Sequence, residues 1–134
     1  MLRLRMKRKG FSLVELLIVI AIIGIIATIA IPILLSARQG AVREKARNSL
    51  RSIVSAQAAF YAANGRYAAD LPELNAPPAP QTAYIDAVLA TGTLPEMTFT
   101  CAGDATGFTA TAVTNSTNIP DYSTDQTGVI IETP

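Results

Sequence analysis

The sequence predicts an α+β protein: a long N-terminal α-helix, membrane-spanning in its first half and amphipathic in its second, packed on a small antiparallel β-sheet of three to four strands. Three patterns predict it. Residues 11–35 are almost wholly apolar, residues 36–65 carry apolar side chains at helical spacing, and the C-terminal part alternates between apolar and polar residues. A long helix laid against a short meander is an α+β arrangement.

The apolar segment, residues 11–35, is long enough for a helix to cross a lipid bilayer at about 1.5 Å per residue. The apolar region of a secretory signal peptide spans only about 7–15 residues, so a removable signal fits poorly. A plain membrane anchor fits the length, and the basic residues before it would stay cytoplasmic. Neither alternative explains Glu15, because a charge inside hydrocarbon costs roughly 2.5–3.5 kcal/mol.

Residues 9–17 read KGFSLVELL, which places a glycine, a phenylalanine and a carboxylate five residues after the glycine at the start of the apolar segment. This string, with its short basic leader, resembles the processing site of type IV prepilins and pseudopilins, and the likeness continues to Pro32. The resemblance implies that a prepilin peptidase cuts between Gly10 and Phe11, and that the new amino group of Phe11 is N-methylated. Glycine suits the cut because an extended backbone must pass through a tight protease site.

The resemblance also implies a partner for Glu15, namely the Phe11 amine of a neighbouring subunit in a fibre. Opposite charges attract strongly in a dry medium, and a polar pair can set register where apolar side chains are interchangeable. Pro32 removes a backbone donor, so we expect the helix to bend or loosen near Thr28. The family adds the expectation that the helix unwinds between Gly24 and Pro32 in the fibre.

Residues 36–65 continue the helix with an apolar face that begins at Val42 and ends at Phe60, and Asn64-Gly65 predicts its end. A basic cluster lies on the other faces of this helix: Arg38, Arg43, Lys45, Arg47 and Arg51. It predicts either a solvated or membrane-proximal face, or pairing with the acidic heads of neighbouring subunits.

Residues 66–134 form the predicted head. The segment 66–74 resembles the connecting loop of small pilins, residues 75–80 form an irregular proline-rich loop, and residues 84–90 have room for two helical turns closed by Gly92. Strands are predicted at 96–101, 108–114, 122–124 and 129–131. The expected organisation is therefore a leader (1–10), an apolar helix (11–35), its amphipathic continuation (36–65) and the head (66–134).

The head offers little material for catalysis. The chain has no His and one Cys, and every charge after Arg66 is acidic, which disfavours nucleic acid as a partner. Cys101 is expected to be a small buried hydrophobe. Three aspartates, Asp104, Asp121 and Asp125, favour turns over a calcium site, because no dense run of oxygen ligands appears. We expect no metal, no cofactor and no enzymatic activity.

The expected function is that of a structural subunit of a type IV pilus, a homo-oligomeric helical filament supporting adhesion, twitching motility or DNA uptake. A pseudopilin of a type II secretion system and a minor pilin are the alternatives, and a membrane-tethered enzyme or binding protein fits less well. The implied partners are the prepilin peptidase and the inner-membrane assembly machinery. The precursor would cross the bacterial inner membrane once before entering an extracellular pilus or a periplasmic fibre.

Overall fold

The computed structural model describes residues 10–133, which contain three helices and five strands. The elements in chain order are α1 (Leu13–Asn64), α2 (Leu71–Asn75), α3 (Ala87–Ala90), β1 (Thr93–Leu94), β2 (Met97–Gly103), β3 (Phe108–Thr114), β4 (Asp121–Asp125) and β5 (Ile131–Thr133). The predicted α+β fold is confirmed. The predicted leader lies outside the described residues except for Gly10.

The helix α1 ends at the predicted residue. Gly65 adopts a left-handed backbone with φ of +70°, and its N–H donates to the carbonyl of Tyr61 at 2.8 Å. A glycine in this conformation is a common way to satisfy the carbonyl groups left free at a helix C-terminus. The chain divides into two compact units, and the boundary between them in the sequence falls within α1, after Ala37.

The N-terminal unit consists of the apolar half of α1, whose side chains are exposed within the described chain. Large apolar residues such as Leu13, Ile25 and Leu34 are each more than half exposed. This helix is long and apolar enough to cross a membrane by length and composition. A continuous apolar surface of this kind marks a contact with lipid or with another protein chain.

The C-terminal unit has one hydrophobic core between α1 and the sheet. The predicted apolar face of α1 is confirmed, since Val42, Ala46, Leu50, Ile53 and Phe60 are all buried. The sheet contributes its inner face in return, with these buried side chains: Met97, Phe99, Phe108, Ala110, Ala112 and Tyr122. Alternation along the strands therefore places every second residue against the helix.

The sheet is an antiparallel meander in the order β1-β2-β3-β4-β5. It has five strands where three to four were expected, because the two-residue strand β1 pairs with the start of β2 through Thr93 and Thr98. Two residues are too few to show alternation in a sequence. The last strand also begins at Ile131 rather than at residue 129, after a turn in which Gly128 has φ of +75°.

Two short helices connect α1 to the sheet. Asp70 caps α2 by accepting from the N–H of Glu73 at 2.9 Å, and Asp86 caps α3 by accepting from the N–H of Leu89 at 2.6 Å. The helix α3 has one turn instead of the two expected for residues 84–90, because Asp86 caps it and the helix begins only at Ala87. Gly92 ends it as predicted, with φ of +69° and its N–H bonded to Leu89.

Candidate functional site

The candidate cleavage site lies just before α1. Gly10 and Phe11 are outside the helix, and Phe11 is 83% exposed. A β-carbon added to Gly10 would meet no atom within 4 Å. Packing within the described chain therefore does not require a glycine at position 10. A steric requirement for glycine there would come from a molecule that binds this segment, such as a protease.

Glu15 lies in the first turn of α1 and accepts a hydrogen bond from within the chain. The backbone N–H of Ser12 donates to its Oε2 at 2.9 Å. Ser12 directly precedes the helix, and this bond is one half of a capping box, in which a glutamate satisfies a free N–H at a helix start. A carboxylate here is also favoured by the helix dipole. Its pairing with the Phe11 amine of a second copy stays a prediction.

The helix α1 continues through Gly24 and Pro32. Between them, the Thr28 hydroxyl donates to the carbonyl of Gly24 at 2.8 Å. Gly24 has no neighbouring atom within 4 Å of where its β-carbon would lie, so nothing in the described chain packs closely against it. Unwinding between these residues in a fibre stays a prediction.

Comparisons with known proteins point to the same N-terminal segment. The sequence model of the prokaryotic N-terminal methylation motif matches residues 5–31. The motif spans the start of α1 and includes Gly10, Phe11 and Glu15.

Two relatives extend the likeness beyond the motif. The chain is 38% identical over 65 residues to the type IV major pilin protein PilA of Myxococcus xanthus (strain DK1622), which covers 48% of the chain. It is 34% identical over 61 residues to the type II secretion system core protein G of Pectobacterium carotovorum subsp. carotovorum, which covers 46% of the chain. The matched part is only 30% of the first relative and 39% of the second.

Four of the five residues of the basic cluster bond to the head of the same chain, and the fifth, Arg51, pairs with Glu44 within α1. The contacts are Arg38–Glu96 at 3.9 Å, Lys45–Glu96 at 3.5 Å, Arg47–Glu132, Arg51–Glu44 at 3.5 Å, and Arg43 Nη2 to the carbonyl of Asn118 at 3.2 Å. The sequence left open a solvated face or pairing between subunits, and the structure shows a third arrangement within one chain. Sequence reasoning missed it because Glu96 lies 51 residues from Lys45, and Glu132 lies 85 residues from Arg47.

The aspartates of the head are bonded inside their own turns. Asp104 Oδ1 accepts from the N–H of Thr106 at 2.6 Å and from the N–H of Gly107 at 3.0 Å. The Thr106 hydroxyl also donates to Asp104 Oδ1, at 2.7 Å, and Asp125 Oδ1 likewise accepts from the hydroxyl and the N–H of Thr127. These bonds, the threonine hydroxyl first, lower the pKa of both carboxyls. No cluster of His, Cys, Asp or Glu suited to a metal ion occurs among residues 10–133.

A buried amide that sequence reasoning missed joins α1 to the head. Gln57 is fully buried, and its Oε1 accepts from the N–H of Ala68 at 2.8 Å, while its Nε2 donates to the carbonyl of Ala68 at 3.0 Å. Its Nε2 also lies 3.1 Å from the sulfur of Cys101. The available signal was a polar residue at core spacing, four residues after Ile53 and three before Phe60.

Cys101 is half-buried instead of fully buried as expected. Burial raises the pKa of its thiol, opposed by the hydrogen bond from Gln57. A raised pKa leaves little thiolate at neutral pH, so the sulfur is a poor nucleophile. Its contact with Gln57 makes it part of the packing around Ala68.

Proposed function

We propose that the chain is a structural subunit of a type IV pilus. A prepilin peptidase cuts it between Gly10 and Phe11, Phe11 is N-methylated, and the apolar half of α1 stacks with other copies into the core of a helical fibre. The fibre would support adhesion, twitching motility or DNA uptake. One observation carries this proposal: α1 exposes a long apolar surface that holds a single carboxylate, at its start.

Before assembly the apolar half of α1 would lie in the bacterial inner membrane, with the leader on the cytoplasmic side. Lipid is as apolar as leucine, so moving this helix from lipid into a fibre core gives little hydrophobic gain and no preferred register. A carboxylate in hydrocarbon, in contrast, is strongly stabilised when a cation pairs with it. We infer that Glu15 sets the axial position of each subunit by pairing with the Phe11 amine of its neighbour.

Within one chain, Glu15 uses Oε2 to accept from Ser12. Since an ionised carboxylate can accept several hydrogen bonds on its two oxygens, this contact leaves capacity for an amine of a second copy. The capping bond would hold Glu15 near the end of the helix, at the level where a neighbour's new terminus arrives. The assembled pair would then add a charge-assisted bond to an existing cap.

Two substitutions test the charge separately from the hydrogen bond. Glu15→Gln keeps the size of the side chain and an acceptor for the Ser12 N–H, whereas Glu15→Val removes both charge and acceptor. We expect both variants to be cut at Gly10, because the scissile bond lies outside the helix, and both to fail to enter fibres beside wild-type subunits. Normal incorporation of Glu15→Gln would refute the ionic pairing.

Intact mass of the mature protein tests the processing step. The proposal predicts a chain beginning at Phe11 with an added methyl group. A chain beginning after Ala27 or Ala30, as a conventional signal peptidase would produce, would contradict it. The test needs no fibre, so it separates processing from assembly.

A pseudopilin of a type II secretion system is the second candidate, supported by the 34% identity to the core protein G of such a system. A minor pilin of either fibre is a variant of the same proposal. Electron microscopy of material sheared from the cell surface, followed by mass spectrometry, separates the two. Long surface fibres containing this chain support the pilus, and a chain confined to the cell envelope supports the secretion fibre.

A further inference from the structure

Two positive charges at the start of the amphipathic half of α1 have no matching carboxylate within residues 10–133. The basic cluster has five cations, and its ion pairs in this part of the chain use three carboxylates: Glu44, Glu96 and Glu132. Arg47 and Arg51 each pair with a carboxylate of their own. The excess of two positive charges therefore lies among Arg38, Arg43 and Lys45.

Arg38 and Arg43 have weak contacts within the chain. Nη2 of Arg38 lies 3.9 Å from Oε1 of Glu96, which is too long for a hydrogen bond, and that carboxylate also pairs with Lys45 at 3.5 Å. Arg43 donates to the neutral carbonyl of Asn118 at 3.2 Å and makes no ion pair with the residues that the structure describes. Both side chains are exposed, Arg38 by 71%. Since a guanidinium has five N–H donors, both arginines keep donors for another ligand.

The sequence places Arg38 directly after the segment that is apolar enough to cross a membrane. This segment, residues 11–35, is about 38 Å long at about 1.5 Å per residue, whereas the hydrocarbon core of a bilayer is about 30 Å thick. The end of a spanning helix of this length enters the headgroup layer. Arg38 would then lie at the level of the lipid phosphates. Arg43, about 8 Å further along α1, would lie within the range of the surface potential of an anionic membrane.

Arg38 and Arg43 occupy different sides of α1. Residues five apart in an α-helix are separated by about 140° around its axis. A protein partner docked on one side of the helix would meet one of the two arginines, whereas lipid headgroups surround a helix that leaves a bilayer on every side. Phosphate is the anion of these headgroups, and the planar guanidinium group binds phosphate through paired hydrogen bonds.

We propose that Arg38 and Arg43 bind the phosphate groups of anionic phospholipids, of which phosphatidylglycerol is an example, in the leaflet where α1 leaves the membrane. The phosphates supply the anions that balance the two excess charges of the cluster. Binding fixes the depth of α1 in the bilayer before the subunit enters a fibre. The proposal rests on the membrane-bound stage of the proposed function.

The lipid preference of the full-length chain in phosphatidylcholine vesicles tests the site. Electron spin resonance measures the share of a spin-labelled lipid that is held against the protein, and labelled phosphatidylglycerol is compared with labelled phosphatidylcholine. We expect wild type to prefer phosphatidylglycerol, and the double variant Arg38→Gln, Arg43→Gln to reduce that preference severalfold. The basic leader is the same in every variant, so its own attraction for anionic lipid does not affect the comparison.

The matched control is the double variant Arg47→Gln, Arg51→Gln. It removes the same net charge, but from cations that have carboxylates of their own, so it should keep the wild-type preference. Equal preferences in the two glutamine double variants would overturn the proposal.

A lysine double variant, Arg38→Lys, Arg43→Lys, separates the attraction of phosphate from a loss of structure. Lysine also binds phosphate, as a point charge, so this variant should keep most of the wild-type preference. A lysine variant as unselective as Arg38→Gln, Arg43→Gln would overturn the proposal.

Fibre formation by the same variants separates the lipid site from contacts between subunits. If Arg38→Gln, Arg43→Gln keeps the wild-type lipid preference but no longer enters fibres, the two arginines bind the acidic heads of neighbouring subunits and the lipid site is wrong. Absence of wild-type fibres, with the expected change in lipid preference, would contradict the proposed function alone. An unchanged lipid preference with normal fibres would contradict the lipid site alone.

Discussion

Replacing Gln57 by leucine would remove the buried amide that holds the loop after α1. Ala68 is fully buried, and its N–H and carbonyl both bond to Gln57, at 2.8 Å and 3.0 Å. Leucine has a similar volume but no polar atom, so both backbone groups of Ala68 would lose their partner. A buried polar group without a partner costs about 1–3 kcal/mol. We therefore expect Gln57→Leu to lower the free energy of unfolding by about 2–6 kcal/mol.

This loss is large beside the total stability of a small domain, about 5–15 kcal/mol. Urea unfolding of the full-length chain in micelles, followed by the near-ultraviolet circular dichroism of its tyrosines, would measure it. Cys101→Ala is the matched control, because it removes the sulfur contact at 3.1 Å and leaves both bonds to Ala68. A Gln57→Leu variant no less stable than Cys101→Ala would refute the reasoning.

Two further substitutions test the head. Gly103→Ala would place a β-carbon in steric overlap with the backbone carbonyl oxygen of Ala68, so we expect the free energy of unfolding, measured in urea, to fall by about 1–3 kcal/mol. Gly107→Ala, which meets only a flexible side chain, is its control, and an equal effect of both would contradict the packing. Asp104→Asn tests the lowered pKa of that carboxyl. Because its folded pKa is depressed, its contribution to stability is present above the unfolded pKa of about 4 and is lost as pH falls through the folded pKa. The variant should therefore be less stable than wild type at pH 7 and equal to it in strong acid, and a difference independent of pH would argue against the carboxylate.

The elements that the sequence predicted well depend on local patterns. Helical spacing from Val42 to Phe60 identified the buried face of α1, and Asn64-Gly65 identified its end, because both signals lie within a few residues. The alternating residues of β2 and β3 were placed within two residues for the same reason.

The features that the sequence did not reveal depend on contacts between distant residues. The strand β1 exists only because Thr93 and Leu94 find partners in β2. The pairing of the basic cluster with Glu96 and Glu132 required the fold to be known.

The candidate site divides in the same way. Gly10, Phe11 and Glu15 could be named from the sequence, since a contiguous motif carries them. The acceptor role of Glu15 toward Ser12 was also readable, because a serine three residues before a glutamate at a helix start is a capping-box pattern. The partner in a second copy cannot be read from a single chain, because it belongs to the assembly.

The distance between the Phe11 amine and the nearest carboxyl oxygen of Glu15 in purified fibres tests the central claim most directly. A structure of the fibre by electron cryomicroscopy would measure it. We predict that the amine of one subunit lies within hydrogen-bonding distance, about 3 Å, of the carboxylate of its neighbour. An amine remote from every carboxyl oxygen, with Glu15 facing water, would contradict the account.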